Sequence, residues 1–143
     1  MDIARLIAAR ASSEVITCDV DMTMREALSV LARHRIGALP VMRDGEVVGI
    51  FSERDVIYCL EAEGEASLSK PLEDVMTAPA ITVDAGMQVA EALALMTERR
   101  FRHLPVVRNG AMVGFVSIGD LVKSQIDDLA QEAAAMRIYI QSA

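Results

Sequence analysis

The sequence predicts a mixed α/β fold (α+β) of two tandem β-α-β-β-α repeats, packed with pseudo-twofold symmetry and flanked by an N-terminal and a C-terminal helix. Three observations carry that expectation. Residues 15–57 align without a gap on residues 80–122 at a constant offset of 65, and 17 of those 43 pairs are identical; self-similarity on this scale marks a repeated structural unit. Each copy then shows a β-prone run, an amphipathic stretch, two more β-prone runs and a helix start at corresponding points. Finally, the two runs in the middle of each copy are joined by Asp44-Gly45 or Asn109-Gly110, dipeptides that suit a type I′ hairpin because both residues must take positive φ.

The elements follow in chain order. Residues 2–10 read as an amphipathic segment with Ile3, Leu6 and Ile7 on one face. They lack the charged start, apolar run and cleavage site of a secretory signal. The first copy opens with a strand over Val15 to Cys18, ending at Asp19; its counterpart is Ala80 to Val83, ending at Asp84. Met24, Ala27, Leu28 and Leu31 then recur at i, i+3, i+4, i+7, as do Val89, Ala92, Leu93 and Met96, which is one face of a helix. Thr23 and Glu26 have capping-box spacing.

Two strands follow, Leu39–Arg43 and Val47–Phe51, repeated as Leu104–Arg108 and Met112–Val116, and a second helix begins near Ser52 or Ser117. The polar stretch Glu61 to Lys70 reads as a loop leading into a short helix at Pro71 to Met76. At the other end Val122, Ile126, Leu129, Ala133, Met136 and Ile140 form a heptad-like seam. That seam suits either packing on its own module or a partner chain. The expected division is a first repeat with its N-terminal helix over 1–62, a linker with a short helix over 63–79, a second repeat over 80–125 and a C-terminal helix over 126–143. One such repeat would struggle to bury an adequate core alone, so the two are expected to pack together and leave a cleft between them.

Composition narrows the function. Hydrophobic residues make up 52% of the 143, enough for a packed interior, while aromatics are 3% with no Trp. That scarcity disfavours base-stacking platforms. A net charge of −7 argues against general affinity for nucleic acids or anionic membranes, and no apolar run has the length to span a bilayer. Cys18 and Cys59 lack the spacing and His neighbours of a disulfide framework or zinc site. The expectation is a cytoplasmic protein with no nucleic-acid or membrane partner, no metal and no catalytic constellation, His34 and His103 being its only histidines.

The residues that carry chemistry recur in both copies. Gly49-Ile50-Phe51-Ser52-Glu53-Arg54-Asp55 and Gly114-Phe115-Val116-Ser117-Ile118-Gly119-Asp120 share the pattern G-h-h-S-x-x-D. Glycine in the strand permits close approach of a ligand or another backbone. Serine can cap the helix, whose N-terminus attracts anions, and the carboxylate one turn on can accept two bonds from a vicinal diol. A plain helix cap explains the same pattern. Cations gather at the end of each first helix: Arg33, Arg35, Arg99 and Arg100 complement the helix dipole there, while Arg102 and His103 lie later and are better placed for a phosphate.

Together these strings, Leu-Pro-Val, Asp/Asn-Gly, Val-Gly and Ser-x-x-Asp in each copy, resemble the CBS domain family over roughly residues 1–125. The resemblance implies a CBS pair, often called a Bateman module, that dimerises and holds up to two nucleotides in central clefts. It implies that Asp55 and Asp120 bind ribose hydroxyls and that Ser52 and Ser117 contact ribose or phosphate. It completes the first site with Ile81, Thr82, Arg102, His103 and Pro105, and the second with Ile16, Thr17, Gly37, Ala38 and Pro40. The first would favour phosphorylated ligands and the second would be roomier and uncharged. Typical members continue that motif with an aromatic and then an Arg two residues on; Val56 and Tyr58 stand there instead, so the resemblance does not carry over a phosphate contact from that helix.

The expected function is a non-catalytic regulatory module that senses an adenine nucleotide, with AMP, ATP or NAD foremost, requires no cofactor, forms a homodimer and signals to a regulated protein. The alternative is a structural or interaction module acting through dimerisation and the C-terminal helix.

Overall fold

A computed structural model of the chain describes residues 1–10 and 14–142. In the first repeat β1 (Cys18–Asp19) runs parallel to β2 (Ala38–Arg43), which pairs antiparallel with β3 (Glu46–Ser52). In the second, β4 (Val83–Asp84), β5 (His103–Arg108) and β6 (Ala111–Ser117) repeat that order and sense. Even the irregularity is duplicated: the ladder shifts between Val41 and Met42 in one sheet and between Val106 and Val107 in the other. The hairpins turn at Asp44-Gly45 (φ 50° and 82°) and Asn109-Gly110 (φ 52° and 80°), the double positive φ of a type I′ turn.

The leading strands are shorter and later than the sequence suggested. Only Cys18–Asp19 and Val83–Asp84 pair, because their partners offer parallel positions at Val41-Met42 and Val106-Val107 alone. Ile16, Thr17, Ile81 and Thr82 therefore precede the sheets rather than belonging to them.

The helices pack as their periodicity predicts. α2 (Met24–His34) starts at a complete capping box, with Thr23 Oγ1 accepting from Glu26 N at 3.2 Å and Glu26 Oε1 accepting from Thr23 N at 3.3 Å. It buries Met24, Ala27 and Leu31, and α5 (Val89–Arg99) buries the matching Val89, Ala92 and Met96. The stretch expected as a loop is helical instead. α3 (Glu53–Glu63) passes straight into a 3₁₀ helix, Gly64–Ser69, and then α4 (Leu72–Val75). The buried Ser67 hydroxyl donates to the Gly64 carbonyl at 2.7 Å, which satisfies it inside the turn.

Each sheet and its helices enclose a separate apolar core, but the packing crosses chain order. α1 (Ile3–Ala8) sends its fully buried Ile3 into the second core, among Val89, Leu104 and Leu121. Conversely Leu72 and Val75 of α4 complete the first core with Leu39, Val41 and Phe51. The segment preceding each repeat in the chain thus roofs the other repeat.

α6 is one continuous helix of 25 residues, Ile118–Ser142, with no break at 126. Leu121 and Ser124 are buried, whereas Ile126, Leu129, Met136 and Ile140 of the seam are 59–68% exposed. Of the two readings of the seam, packing against its own module is therefore not what the fold does.

Candidate functional site

The recurring Ser-x-x-Asp sits where β3 and β6 pass into α3 and α6. Ser52 caps α3, and its backbone N–H and hydroxyl both donate to Asp55 Oδ2, at 2.9 and 3.2 Å. Asp55 N–H returns a bond to Ser52 Oγ at 3.4 Å. At α6 the Ser117 N–H donates to Asp120 Oδ2 at 2.8 Å and Asp120 N–H to Ser117 Oγ at 3.1 Å. Both pairs are capping boxes, with the carboxylate in the first turn where the helix dipole favours it. The plain structural account of the motif is realised in full, and anything more must come from what surrounds it.

The surroundings differ. Thr77 Oγ1 donates to Asp55 Oδ1 at 2.9 Å. Thr77 is carried there by a two-bond bridge to Ile50, each N–H to O distance 2.9 Å. Gly49 makes room for it: a Cβ at that position would lie 2.6 Å from Met76 Sδ and 2.9 Å from the Thr77 carbonyl. The strand glycine thus admits the chain's own backbone rather than a ligand. In the other copy a Cβ on Gly114 would lie 2.5 Å from Ile7 Cδ1, so α1 takes the corresponding seat. From its end Arg10 reaches Asp120 Oδ2 through Nη2 at 2.6 Å and the Phe115 carbonyl through Nη1 at 2.9 Å.

A cleft of about 700 Å³ opens beside Asp55, within the roughly 300–1,000 Å³ common for small-molecule sites. The structure brings Ser52, Asp55, Ile81, Arg102 and His103 into its lining, as the sequence grouped them. Thr82 is exposed and Pro105 is buried within β5, and neither lines it. Gly37, assigned from sequence to the second site, lines this cleft instead, because its carbonyl accepts from Glu53 N at 3.0 Å and holds it against the start of α3. Sequence reasoning missed Thr77, Arg54, Tyr58, Phe101 and Arg100. Arg100 does stand at a helix C-terminus, in a left-handed cap (φ 60°), but it also lines the cleft.

The second predicted set is not gathered in the same way. Ala38 and Pro40 are buried in β2, Ile16 is half-buried and Thr17 exposed. The cavity of about 430 Å³ beside Asp120 is lined by Arg10, Lys123 and Asp127 among others, and by none of Ile16, Thr17, Gly37, Ala38 and Pro40.

Charge in the first cleft rests on its arginines. Burial pushes the His103 imidazole below its ordinary 6.5, with Asp120 opposing, Arg102 assisting and Glu53 opposing. The ring lies against Phe115, centroids 5.5 Å apart and planes 11° from parallel. Burial likewise raises the Cys18 thiol. Among the described residues no three His, Cys, Asp or Glu are grouped to hold a metal, and no helix is long and apolar enough to cross a membrane.

Comparison with known proteins places this architecture. The CBS domain model matches residues 4–62 and 72–127. The mitochondrial CBS domain-containing protein CBSX3 of Arabidopsis thaliana is 34% identical over 145 residues, covering 98% of this chain and 70% of the relative. A solved CBS-domain containing protein from Agrobacterium tumefaciens is 36% identical, with a TM-score of 0.82 over 87% of this chain and 99% of its own. The CBS domain pair of protein MJ0100, solved in complex with 5′-methylthioadenosine and S-adenosyl-L-methionine, is 25% identical, with a TM-score of 0.74 over 86% of this chain and 98% of its own. With both repeats matched and the fold shared almost end to end, this chain belongs to the CBS domain family, as a tandem pair.

Proposed function

We propose that the chain is a non-catalytic regulatory module that takes an adenine nucleotide into the Asp55 cleft and passes its occupancy to a partner protein. The observation that carries this reading is the convergence, in one cleft, of a helix-start carboxylate with Arg54, Arg100 and Arg102 and an apolar wall that includes Ile50, Ile81 and Phe101. A vicinal diol donates to the Asp55 carboxylate, the arginines meet a phosphate as planar forks of donors, and the apolar wall takes the base. The 5′-methylthioadenosine and S-adenosyl-L-methionine named for the MJ0100 pair share the adenine base and ribose diol of such a ligand but carry no phosphate. Occupancy acts on the partner by favouring one of two arrangements of the pair, in proportion to its differential affinity for them. The cytoplasmic location expected above belongs to this reading, and cell fractionation tests it.

Calorimetric titration with AMP, ATP, NAD and S-adenosylmethionine is the test. Selective binding that weakens at least about tenfold in Asp55→Ala is expected, the loss of a charge-assisted pair of bonds. Absence of binding by all four at about millimolar concentration, the weak end of specific recognition, overturns the reading.

A second reading, an interaction module, is favoured by the exposed seam of α6, where Ile126, Leu129, Met136 and Ile140 stand 59–68% exposed. A contiguous apolar face of this kind suits contact with a second copy of the chain. Leu129→Glu is expected to convert a homodimer to monomer by sedimentation while leaving AMP affinity unchanged; a purely interacting module would show the first effect and no AMP binding at all.

A further inference from the structure

The seam of α6 resolves into heptad positions in one way. Its steps of 4, 3, 4, 3 and 4 put Val122, Leu129 and Met136 at d and Ile126, Ala133 and Ile140 at a. Leu121 and Ser124, the buried residues of the helix, then fall at c and f, on the opposite side. The module therefore holds one face of α6 and leaves the a/d face free, with Val122, Ile126, Leu129, Met136 and Ile140 all exposed. The family match ends at residue 127, and every residue from 129 to 142 is exposed. A helix of about 12–15 residues on which nothing packs is marginal in water.

The residues of the seam and its flanks say what covers it. β-branched side chains at a with Leu at d favour two parallel strands, and here Ile126 and Ile140 stand at a and Leu129 at d. In a parallel pair each g residue meets the e residue five places on in the other helix. Glu132 is at g and Arg137 at e, so each copy would set its Glu132 against Arg137 of the other. An antiparallel pair brings e against e and g against g. The e positions hold Lys123, Ala130 and Arg137, and the g positions Gln125, Glu132 and Tyr139, so no antiparallel register makes an opposite-charge contact. Among the described residues, neither Glu132 nor Arg137 forms an ion pair within its own chain.

We propose that two copies of the chain join through α6 as a parallel, in-register, two-stranded coiled coil, with Glu132 of each copy paired to Arg137 of the other. The inference rests on the interaction reading of the seam, adds orientation and register to it, and is independent of what the Asp55 cleft holds. The twofold axis then runs along the coil, and both modules stand side by side at its N-terminal end. Ala133 is the thin layer of the seam, too small to fill an a position. Ile138 is exposed as well, but at f it lies off the seam.

Sedimentation equilibrium of the full chain and its variants is the test, with every substitution at an exposed position outside both cores. Ala133→Ile is expected to tighten the dimer at least about tenfold, since it buries added apolar groups on both helices. Glu132→Arg is expected to weaken it about tenfold, a few-fold for each of two exposed pairs, and adding Arg137→Glu is expected to restore it. Ile138→Glu is expected to leave it unchanged. If the chain dimerises and Leu129→Glu dissociates it, but Ile138→Glu does so equally or the double charge reversal fails to restore the dimer, the parallel coil is overturned and the interaction reading stands. If the full chain is monomeric up to about millimolar concentration, the weak end of specific association, both are overturned.

Discussion

The two helix starts at Asp55 and Asp120 are nearly copies: the Ser N–H to carboxylate bond is 2.9 Å in one and 2.8 Å in the other. Their other bonds are not: the Thr77 hydroxyl donates to Asp55 Oδ1, whereas Arg10 donates to the same Asp120 Oδ2 that accepts from the Ser117 N–H. The difference does not come from the repeats. It comes from α4 with the residues after it and from α1 with Arg10, both outside the 43 aligned pairs. Duplication has kept the frame that positions a carboxylate, and the segments outside the aligned pairs that roof each repeat decide what that carboxylate meets. A regulatory pair can thus acquire unlike sites without altering its sheets, which would be costly to change because the cores leave few voids.

The largest expected effect breaks the likeness of the two cores. Phe51 and Val116 are counterparts at the offset of 65, and both are 0% exposed. Phe51→Ala should destabilise by about 3–5 kcal/mol, the range for removing a buried aromatic and leaving a cavity. Val116→Ala should cost about 1.5–3 kcal/mol, the transfer of a smaller side chain. Urea denaturation checks both, and equal losses would mean that the first core collapses around the missing ring.

A smaller effect sharpens the comparison of the roofs. Alanine at Gly49 would meet a backbone atom, the Thr77 carbonyl at 2.9 Å, besides Met76 Sδ at 2.6 Å. At Gly114 it would meet only side-chain atoms of Ile7, whose end can turn aside. Gly49→Ala should therefore cost about 1–3 kcal/mol, the usual scale of overpacking, and loosen Thr77 from Asp55, whereas Gly114→Ala should cost less than about 1 kcal/mol. Thermal unfolding of the two variants, read with AMP affinity for the Gly49 change, decides it.

Much of the frame was legible in the residues themselves. Helix faces followed from Met24, Ala27 and Leu31 and from Val89, Ala92 and Met96, and the hairpins from Asp44-Gly45 and Asn109-Gly110, because these signals are local. Part of the first cleft followed too, since Ser52 and Asp55 share one motif and Arg102 and His103 another. Thr77 was hidden because nothing in its own neighbourhood marks it; a β-bridge to Ile50 across 27 positions of chain brings it to Asp55. Arg10 was hidden for the same reason, its partner lying 110 residues away. The grouping of the second site misplaced Gly37, because repeat symmetry matched it with Arg102 and did not show that Gly37, bonded through its carbonyl to Glu53 N at the start of α3, lies beside the first cleft.

The smallest expected effect concerns His103, whose counterpart in the first repeat is Ala38, 3% exposed. Burial lowers the imidazole below its ordinary 6.5 in the folded chain, against the pull of Asp120 and Glu53 and with the push of Arg102. The unfolded chain therefore binds a proton at a higher pH than the folded one. The sign follows: the contribution is complete above 6.5 and is lost as pH falls from there through the folded value. A single proton limits the slope to about 1.4 kcal/mol per pH unit. His103→Ala should remove this slope, and the difference between wild-type and variant stability, followed by urea denaturation from about pH 8 to about pH 5, isolates it, because carboxylates and the exposed His34 are common to both. A flat difference would mean that the ring is solvated and protonates as freely as in the unfolded chain. A falling one means that at neutral pH His103 meets the cleft as a neutral ring stacked on Phe115, so that Arg54, Arg100 and Arg102 alone supply the positive charge a phosphate would find there.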